Sequence, residues 1–158
     1  MKLQFRDKEL ASRTICPYHS NRSLKVESDA ALPQYPDLKR LLIVEDNNLN
    51  RLMLNDYLIF CGYHVMSLAC GANFLKEVVS FLPHLILLDL KLPDIDGYIL
   101  LEQLQLNPQG RDIPVIVVSA FAFKADRQRA MNLGASQYFI KPVNLVDLKQ
   151  AIEREVAN

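Results

Sequence analysis

The stretch "LILLDLKLPDIDGY", residues 85–98, decides the fold of this chain. An apolar run leads directly into Asp89, and the proline and glycine that follow indicate a turn. An ionised carboxylate is costly to bury unless another group pairs with it. A hydrophobic strand that ends on an acid therefore indicates that the strand aims a charged group at a site.

The same pattern recurs from Leu38 onward, where short apolar runs alternate with helical periodicity. Runs typical of buried parallel strands occupy residues 41–44, 64–68, 85–88, 114–118 and 138–140. A helix-type pattern follows each run. Asn47 or Asn48 is a candidate cap of the first helix. In the second helix, the helical spacing of the apolar residues predicts one buried face formed by Leu75, Val78, Val79 and Leu82. The alternation predicts an α/β fold, a flavodoxin-like (βα)5 doubly wound parallel sheet of strand order 2-1-3-4-5.

Residues 1–37 differ from the rest of the chain. Charges of both signs mix there with serine, asparagine and proline, and no apolar period persists. We expect residues 1–37 to form an N-terminal tail, partly disordered or with a short helix, and residues 38–158 to form the folded domain.

The composition argues against nucleic acid and membranes as partners. Eighteen basic and eighteen acidic residues cancel, and no basic run is present. No apolar stretch is long enough to span a bilayer, and the first residues lack the apolar region of a signal peptide. The three cysteines, Cys16, Cys61 and Cys70, have no metal-ligand spacing and are typical of reduced thiols. We therefore expect a cytoplasmic protein.

Polar side chains suited to a metal or a phosphate follow every predicted strand except the second: Glu45, Asp46, Asp89, Ser119 and Lys141. In the predicted order these strand ends are neighbours at the carboxyl edge of the sheet. Two carboxylates 4 Å apart repel by roughly 4 kcal/mol at an effective dielectric constant of 20, so three of them need cations. Lys141 supplies one cation, and Mg²⁺ is suited to supply the other. Each residue alone is commonly a cap, a turn former or a solvated loop residue, and only their coincidence favours a site.

These residues resemble the receiver domains of two-component response regulators. The matching elements are the acidic pair Glu45-Asp46, LLDLKLPDIDG around Asp89, SAFA from Ser119, and YFIKP at residues 138–142. They cover residues 39–157 in the order that the family has. The stretches VEDNNLNRLM and SAFAFKADRQRAMNLGA are most similar to stand-alone receivers, DivK-like or CheY-like, and to receivers attached to hybrid kinases.

The resemblance implies a Mg²⁺-dependent phosphoacceptor site. Asp89 would accept the phosphoryl group, and Lys141 would form an ion pair with that group. The carboxylates of Asp46 and Asp89 and the main-chain carbonyl of Lys91 would bind Mg²⁺ directly. Glu45, which stands where aspartate is frequent in the family, would act through a metal-bound water.

The resemblance also implies a switch. The Ser119 hydroxyl and the backbone N–H of Ala120 would bind the attached phosphoryl group, and Tyr138 would turn inward as Ser119 moves. The Lys141–Pro142 bond would be cis. Phosphorylation would then shift the population between two packings of the surface formed by the fourth helix, the fifth strand and the fifth helix.

The partners implied are proteins. Aspartate is a poor nucleophile, so the donor must be activated, as the phosphohistidine of a sensor histidine kinase or a phosphotransfer protein is. The chain ends just after the last helix, so we expect output through contacts with a downstream protein target rather than through an attached domain. Ser136 and Gln137 stand where transcription-factor receivers often have two acids, which favours a monomer or a weak homodimer.

Two alternatives belong to other classes. A haloacid-dehalogenase-type phosphatase also uses an aspartate after a strand, but it needs a second acid two residues later, where this chain has Lys91. A receiver-like interaction module that never takes phosphate usually lacks an acid or the lysine, and this chain has all of them. The resemblance therefore predicts that the chain is not an enzyme beyond promoting its own phosphorylation and dephosphorylation.

Overall fold

The computed structural model describes residues 38–157, and both the predicted tail at residues 1–37 and Asn158 lie outside the described residues. Strands and helices alternate throughout. The elements are β1 Arg40–Val44, α1 Asn48–Phe60, β2 His64–Leu68, α2 Phe74–Phe81, β3 Leu85–Leu88, α3 Gly97–Leu106, β4 Val115–Ser119, α4 Lys124–Asn132, β5 Gln137–Ile140 and α5 Leu145–Val156.

The five strands form one parallel sheet in the order β2-β1-β3-β4-β5, which confirms the predicted α/β fold and strand order. Strands β3 and β4 are buried along their whole length, as runs of apolar residues without alternation predict. The strand order reverses beside β1, because β2 lies on one side of β1 and β3 on the other. The loops that follow β1 and β3 therefore leave in opposite directions, and a crevice remains between the carboxyl ends of these two strands.

Helices cover both faces of the sheet. Alternate residues of each central strand contribute to opposite layers, so that Leu42 and Val44 of β1 belong to one layer and Leu41 and Ile43 to the other. The first layer contains side chains of α2, α3 and α4, and the second contains side chains of α1 and α5. Each fully buried leucine of these layers contributes roughly 1.5–3 kcal/mol of transfer free energy.

Side chains at the helix starts fix where the loops end. Asn47, not Asn48, caps α1, because its side chain accepts a hydrogen bond from the backbone N–H of Asn50 at 3.1 Å. Asp96 caps α3 in the same way by accepting from the N–H of Tyr98 at 2.9 Å. Both caps lie in loops that leave the carboxyl edge of the sheet, so they also fix the loops of the candidate site.

The predicted buried stripe of α2 is partly wrong. Val78 is buried as predicted, but Val79 is 41% exposed and Leu82 is 51% exposed, while Phe74 is buried in their place. A stripe that runs to Leu82 needs a helix of that length. The helix ends at Phe81, and Leu82 takes the left-handed conformation with φ 50°, which turns the chain toward β3.

The prediction of reduced cysteines is confirmed at one of the two described cysteines. Cys61 is a free thiol as expected, whereas Cys70 is disulfide-bonded, so the expectation of a reduced thiol is wrong at that residue. Cys16 lies outside the described residues.

No helix within residues 38–157 has the length and apolar character needed to cross a membrane.

Candidate functional site

Strand register brings the predicted site residues to one edge of the sheet. Val44 pairs with Leu88, so the residues that follow them, Glu45 and Asp89, lie side by side, and the N–H of Asp89 donates to the carbonyl of Val44 at 2.9 Å. At the next pair of strands the N–H of Lys141 donates to the Ser119 carbonyl at 2.9 Å. The parallel order therefore places four strand ends around one crevice.

Three carboxylates converge in this crevice. One oxygen each of Glu45, Asp46 and Asp89 lies within 4.8 Å of the others, the one such acidic cluster among residues 38–157. Glu45 is 2% exposed and Asp89 is 5% exposed, whereas Asp46 faces solvent. Hard oxygen donors at this spacing, two buried and one open to water, suit Mg²⁺, which retains several of its waters when bound.

Lys141 bridges the two buried carboxylates. Its Nζ lies 2.7 Å from Oε2 of Glu45 and 2.5 Å from Oδ2 of Asp89. Burial by itself lowers the pKa of Lys141, but its bonds to Asp89 and Glu45 outweigh burial and raise that pKa above the ordinary value. Burial raises the pKa of Glu45, and Lys141 offsets this only in part. The crevice therefore favours bound cations. The peptide bond between Lys141 and Pro142 is cis, as predicted.

Backbone donors hold the carboxylates in place. The N–H of Lys91 donates to Oδ1 of Asp89 at 3.0 Å, and the N–H of Asn47 donates to Oε1 of Glu45 at 3.2 Å. Each buried acid thus has one oxygen bonded to the backbone and the other bonded to Lys141. This division fixes both carboxylates without further side chains.

Arg51 orders the loop that carries two of the acids, and the sequence reasoning missed it. Its guanidinium donates to the carbonyls of Glu45 at 2.8 Å and Asp46 at 3.2 Å, and to Oδ1 of Asn48 at 2.9 Å. An arginine in the first turn of α1, six residues after Glu45, was the available signal. Arginine has several donors in a fixed fork, so one side chain can bind several carbonyls.

Gly97 allows the loop after Asp89 to fold back on itself. A Cβ atom at this position would lie 2.6 Å from Cα of Leu90 and 2.8 Å from the Asp89 carbonyl oxygen. Lys91 and Asp96 form an antiparallel bridge that closes the loop. Only glycine lets the backbone approach this closely, so the glycine of the opening stretch is required by the geometry of the Asp89 loop.

Ser119 and Tyr138 lie on the neighbouring strands β4 and β5. Ser119 is fully buried, and its hydroxyl accepts a hydrogen bond from the N–H of Phe121 at 3.2 Å. Tyr138 is 8% exposed, so its ring already lies inward in the unmodified protein, and its hydroxyl donates to the carbonyl of Phe121 at 2.9 Å. Burial raises the pKa of Tyr138, so its hydroxyl stays a donor. Ala120, the residue after Ser119, is exposed.

Solved structures similar to this fold include receiver domains. A CheY-like response regulator receiver domain protein from Methanospirillum hungatei JF-1 is 34% identical, with a TM-score of 0.70 over 77% of this chain and 95% of that chain. The receiver domain of a sensor histidine kinase from Pseudomonas aeruginosa PAO1 is 28% identical, with a TM-score of 0.71 over 77% of this chain and 100% of that one. That structure has a magnesium ion coordinated in its active site cleft.

Sequence comparison gives the same family. The polar-differentiation response regulator DivK of Brucella ovis is 36% identical over 107 residues, which are 68% of this chain and 87% of DivK. The family model of the response regulator receiver domain matches residues 41–153, nearly all of the described fold. The crevice at the carboxyl edge, its acidic cluster and these matches lead to one conclusion: the chain belongs to the family of response regulator receiver domains.

Proposed function

We propose that this chain accepts a phosphoryl group on Asp89 in a Mg²⁺-dependent reaction and transmits the change by protein–protein contacts. The observation that carries the proposal is the crevice itself. Two buried carboxylates share one lysine, and a third, exposed carboxylate lies within 4.8 Å of both. Such an arrangement holds excess negative charge unless a further cation binds.

The transfer is a nucleophilic displacement on phosphorus. An oxygen of Asp89 forms the new O–P bond as the P–N bond to the histidine of the donor breaks, and the imidazole keeps the electron pair of that bond. Oδ1 of Asp89 is already held by the N–H of Lys91, so the carboxylate is oriented before the donor arrives. Charge develops on the phosphoryl oxygens, and positively charged groups beside them lower the barrier.

Mg²⁺ would be held by the carboxylates of Asp46 and Asp89 and the main-chain carbonyl of Lys91, with Glu45 acting through a water. When bound, the ion supplies positive charge beside the phosphoryl oxygens. Lys141 supplies a second positive charge. Its ammonium now binds Glu45 and Asp89, and we infer that it pairs with the phosphoryl group after transfer.

Ser119, Ala120 and Tyr138 would report the modification. The Ser119 hydroxyl and the N–H of Ala120 would bind the phosphoryl oxygens, which requires the Ser119 hydroxyl to leave its contact with the Phe121 N–H. Tyr138 is bonded to the carbonyl of the same Phe121, so a movement of that loop reaches the aromatic ring. Phosphorylation replaces a carboxylate charge with a dianion, which favours one of two packings.

The output surface would be the α4-β5-α5 face. Its candidate contact residues are Lys124, Arg127 and Arg129 of α4 and Val146, Lys149 and Glu153 of α5. Val146 is 59% exposed, and Lys149 forms an exposed ion pair with Glu153 at 2.5 Å. We infer that a sensor histidine kinase or phosphotransfer protein phosphorylates the chain and that a downstream protein reads this face. The chain would act in the cytoplasm as a monomer or weak homodimer.

The test is mass spectrometry after incubation with acetyl phosphate and Mg²⁺. We expect the wild-type protein to gain one phosphoryl group, and Asp89→Asn to gain none. The matched control is Asp94→Asn in the same loop, whose carboxylate binds the N–H of Gly71 at 3.0 Å and lies outside the acidic cluster. Labelling of Asp94→Asn at the wild-type rate would assign the phosphoryl group to Asp89.

Other outcomes would refute the proposal. No gain in the wild-type protein, together with no thermal stabilisation by Mg²⁺, would favour a receiver-like module that works without phosphate. Sustained turnover of a generic phosphate ester, instead of a single labelling, would favour a haloacid-dehalogenase-type phosphatase. The presence of Lys91 at the position where that phosphatase needs an acid argues against the second outcome.

A further inference from the structure

Helix α4 has the weakest apolar attachment of the five helices of the described fold. Its sequence, KADRQRAMN, buries one residue, Ala130, whereas each of the other four helices buries two or more. No side chain caps its first turn. An alanine contributes little transfer free energy on burial, and Met131 is only partly buried against the core, so the apolar packing of this helix is weak.

A tyrosine of α3 supplies a further, polar attachment of this helix. Tyr98 is 4% exposed, and its hydroxyl lies 3.3 Å from the carbonyl oxygen of Asp126 and 3.4 Å from Oδ1 of the same residue. The guanidinium carbon of Arg129 lies 3.9 Å from the centroid of the Tyr98 ring. Asp126 and Arg129 are three residues apart and so lie on one face of α4. One tyrosine therefore binds that face through its hydroxyl and through its ring.

This attachment is adjacent to the loop that the phosphoryl group would move. Tyr138 binds the carbonyl of Phe121, and α4 begins three residues later, at Lys124. Asp126 lies close enough to both tyrosines that its charge contributes, after burial, to raising the pKa of each, that of Tyr98 to about 12. The two hydroxyls thus hold successive segments of chain, the β4–α4 loop and the first turns of α4.

We propose that Tyr98 is a positioning residue that fixes α4 through Asp126 and Arg129 and sets how far modification of Asp89 can displace the α4-β5-α5 face. The second part rests on the proposed function. The first part concerns the unmodified protein and stands without it.

Hydrogen exchange measured by mass spectrometry tests the first part. Tyr98→Phe keeps the ring and its contact with Arg129 but removes the hydroxyl, so we expect the amides of α4 to exchange about 3- to 10-fold faster than in the wild-type protein. Amides of α1 and α5, on the other face of the sheet, should keep their rates. Tyr63→Phe is the matched control, because Tyr63 is a half-buried tyrosine packed in the α1/α5 layer.

The pattern of exchange separates positioning from general stability. Equal acceleration in all helices would show that Tyr98 contributes only to global stability and would overturn the proposal. Unchanged α4 rates in Tyr98→Phe, relative to Tyr63→Phe, would also overturn it. Arg129→Gln, which removes the charge above the ring, should accelerate exchange in α4 as well, and this second variant avoids the buried position.

Exchange after labelling with acetyl phosphate tests the second part. In the wild-type protein we expect labelling to change α4 exchange, and in Tyr98→Phe we expect a smaller change, because the helix is already released. An equal change in both proteins would refute the coupling. Absence of labelling in every variant would instead refute the proposed function, and the rates of the unlabelled proteins would still decide whether Tyr98 positions α4.

Discussion

Lys141→Met removes the shared cation of the crevice while keeping a side chain of similar length. The ammonium lies 2.7 Å from Oε2 of Glu45 and 2.5 Å from Oδ2 of Asp89, and the lysine side chain is 18% exposed. Without it, two carboxylates that are each at most 5% exposed remain side by side with no positive partner. The substitution therefore converts a compensated cluster into an uncompensated one.

The expected cost follows from the distances and the burial. At an effective dielectric constant of 20, each contact contributes about 6 kcal/mol of Coulomb attraction, most of which offsets the desolvation of the three groups. Removal of one partner of a buried pair costs about 3–5 kcal/mol, and partial access of water to Lys141 favours the lower end. We expect a loss of about 3 kcal/mol at neutral pH without Mg²⁺, or about 10 °C in Tm for a domain of this size.

The loss should shrink as the pH falls. Burial already raises the pKa of Glu45 above 4.5, and removal of Lys141 raises it further. For an acid whose folded pKa exceeds its unfolded pKa, the folded state binds more protons than the unfolded state at pH values around the two pKa values. The free energy of unfolding therefore decreases as pH rises through that range. Between about pH 7 and pH 5 the variant should therefore recover part of the lost stability. Added Mg²⁺ should recover part of it as well.

Urea unfolding followed by circular dichroism, in chelator and with Mg²⁺, measures these changes. Lys149→Met is the matched control, because Lys149 makes an ion pair of the same 2.5 Å length with Glu153 on the exposed face of α5. An exposed pair is screened by water, so the control should change stability little. The reasoning is wrong if the two variants lose the same stability, or if the loss in Lys141→Met does not diminish toward pH 5.

Three further predictions follow from single contacts. Phe121→Ala should shorten the lifetime of the phosphoryl group on Asp89 several-fold, because we infer that the bulky, 37% exposed side chain two residues after Ser119 restricts the approach of water to that group. The lifetime is followed by mass spectrometry after removal of acetyl phosphate, and an unchanged or longer lifetime would contradict this. Burial and nearby cations lower the pKa of His84 below 6.5. As pH falls, this histidine is therefore protonated in the unfolded chain at a higher pH than in the folded chain, and the free energy of unfolding decreases over that range. His84→Gln should have a flatter stability profile than the wild-type protein between about pH 7 and pH 5, and an equal slope in urea titrations would count against the assignment. Gly97→Ala places a methyl group 2.6 Å from Cα of Leu90 and should cost about 2 kcal/mol of unfolding free energy, so a Tm within error of wild type would show that the loop yields without cost.

Much of the fold could be predicted because its determinants are local. Each all-apolar run fits a strand buried on both faces, and each polar residue after a run fits the carboxyl edge of a parallel sheet. The identities of Glu45, Asp46, Asp89 and Lys141, each placed after a strand, indicate a cation-binding crevice from the sequence alone. Their convergence within 4.8 Å for the acids and 2.7 Å for the lysine contacts agrees with that prediction.

Contacts between distant segments could not be predicted in the same way. Nothing local in Tyr98 indicates that it binds α4, because its partners Asp126 and Arg129 lie on another helix and meet it only after α3 and α4 pack on the same face. The face of α2 was predicted in part wrongly for a related reason. The apolar periodicity of α2 extends to Leu82, but the helix ends at Phe81 because the chain turns at Leu82 toward β3.

By itself the sequence determined the order of the strands and helices, the position of the acids and the lysine at the strand ends, and the family. Those features depend on residue type and spacing along the chain. Only the tertiary structure decided that Lys141 is shared by two carboxylates, that Arg51 orders the β1–α1 loop, and that Tyr98 of α3 contacts α4. These contacts depend on side-chain directions at separations of many residues, which the packing of the sheet and helices sets.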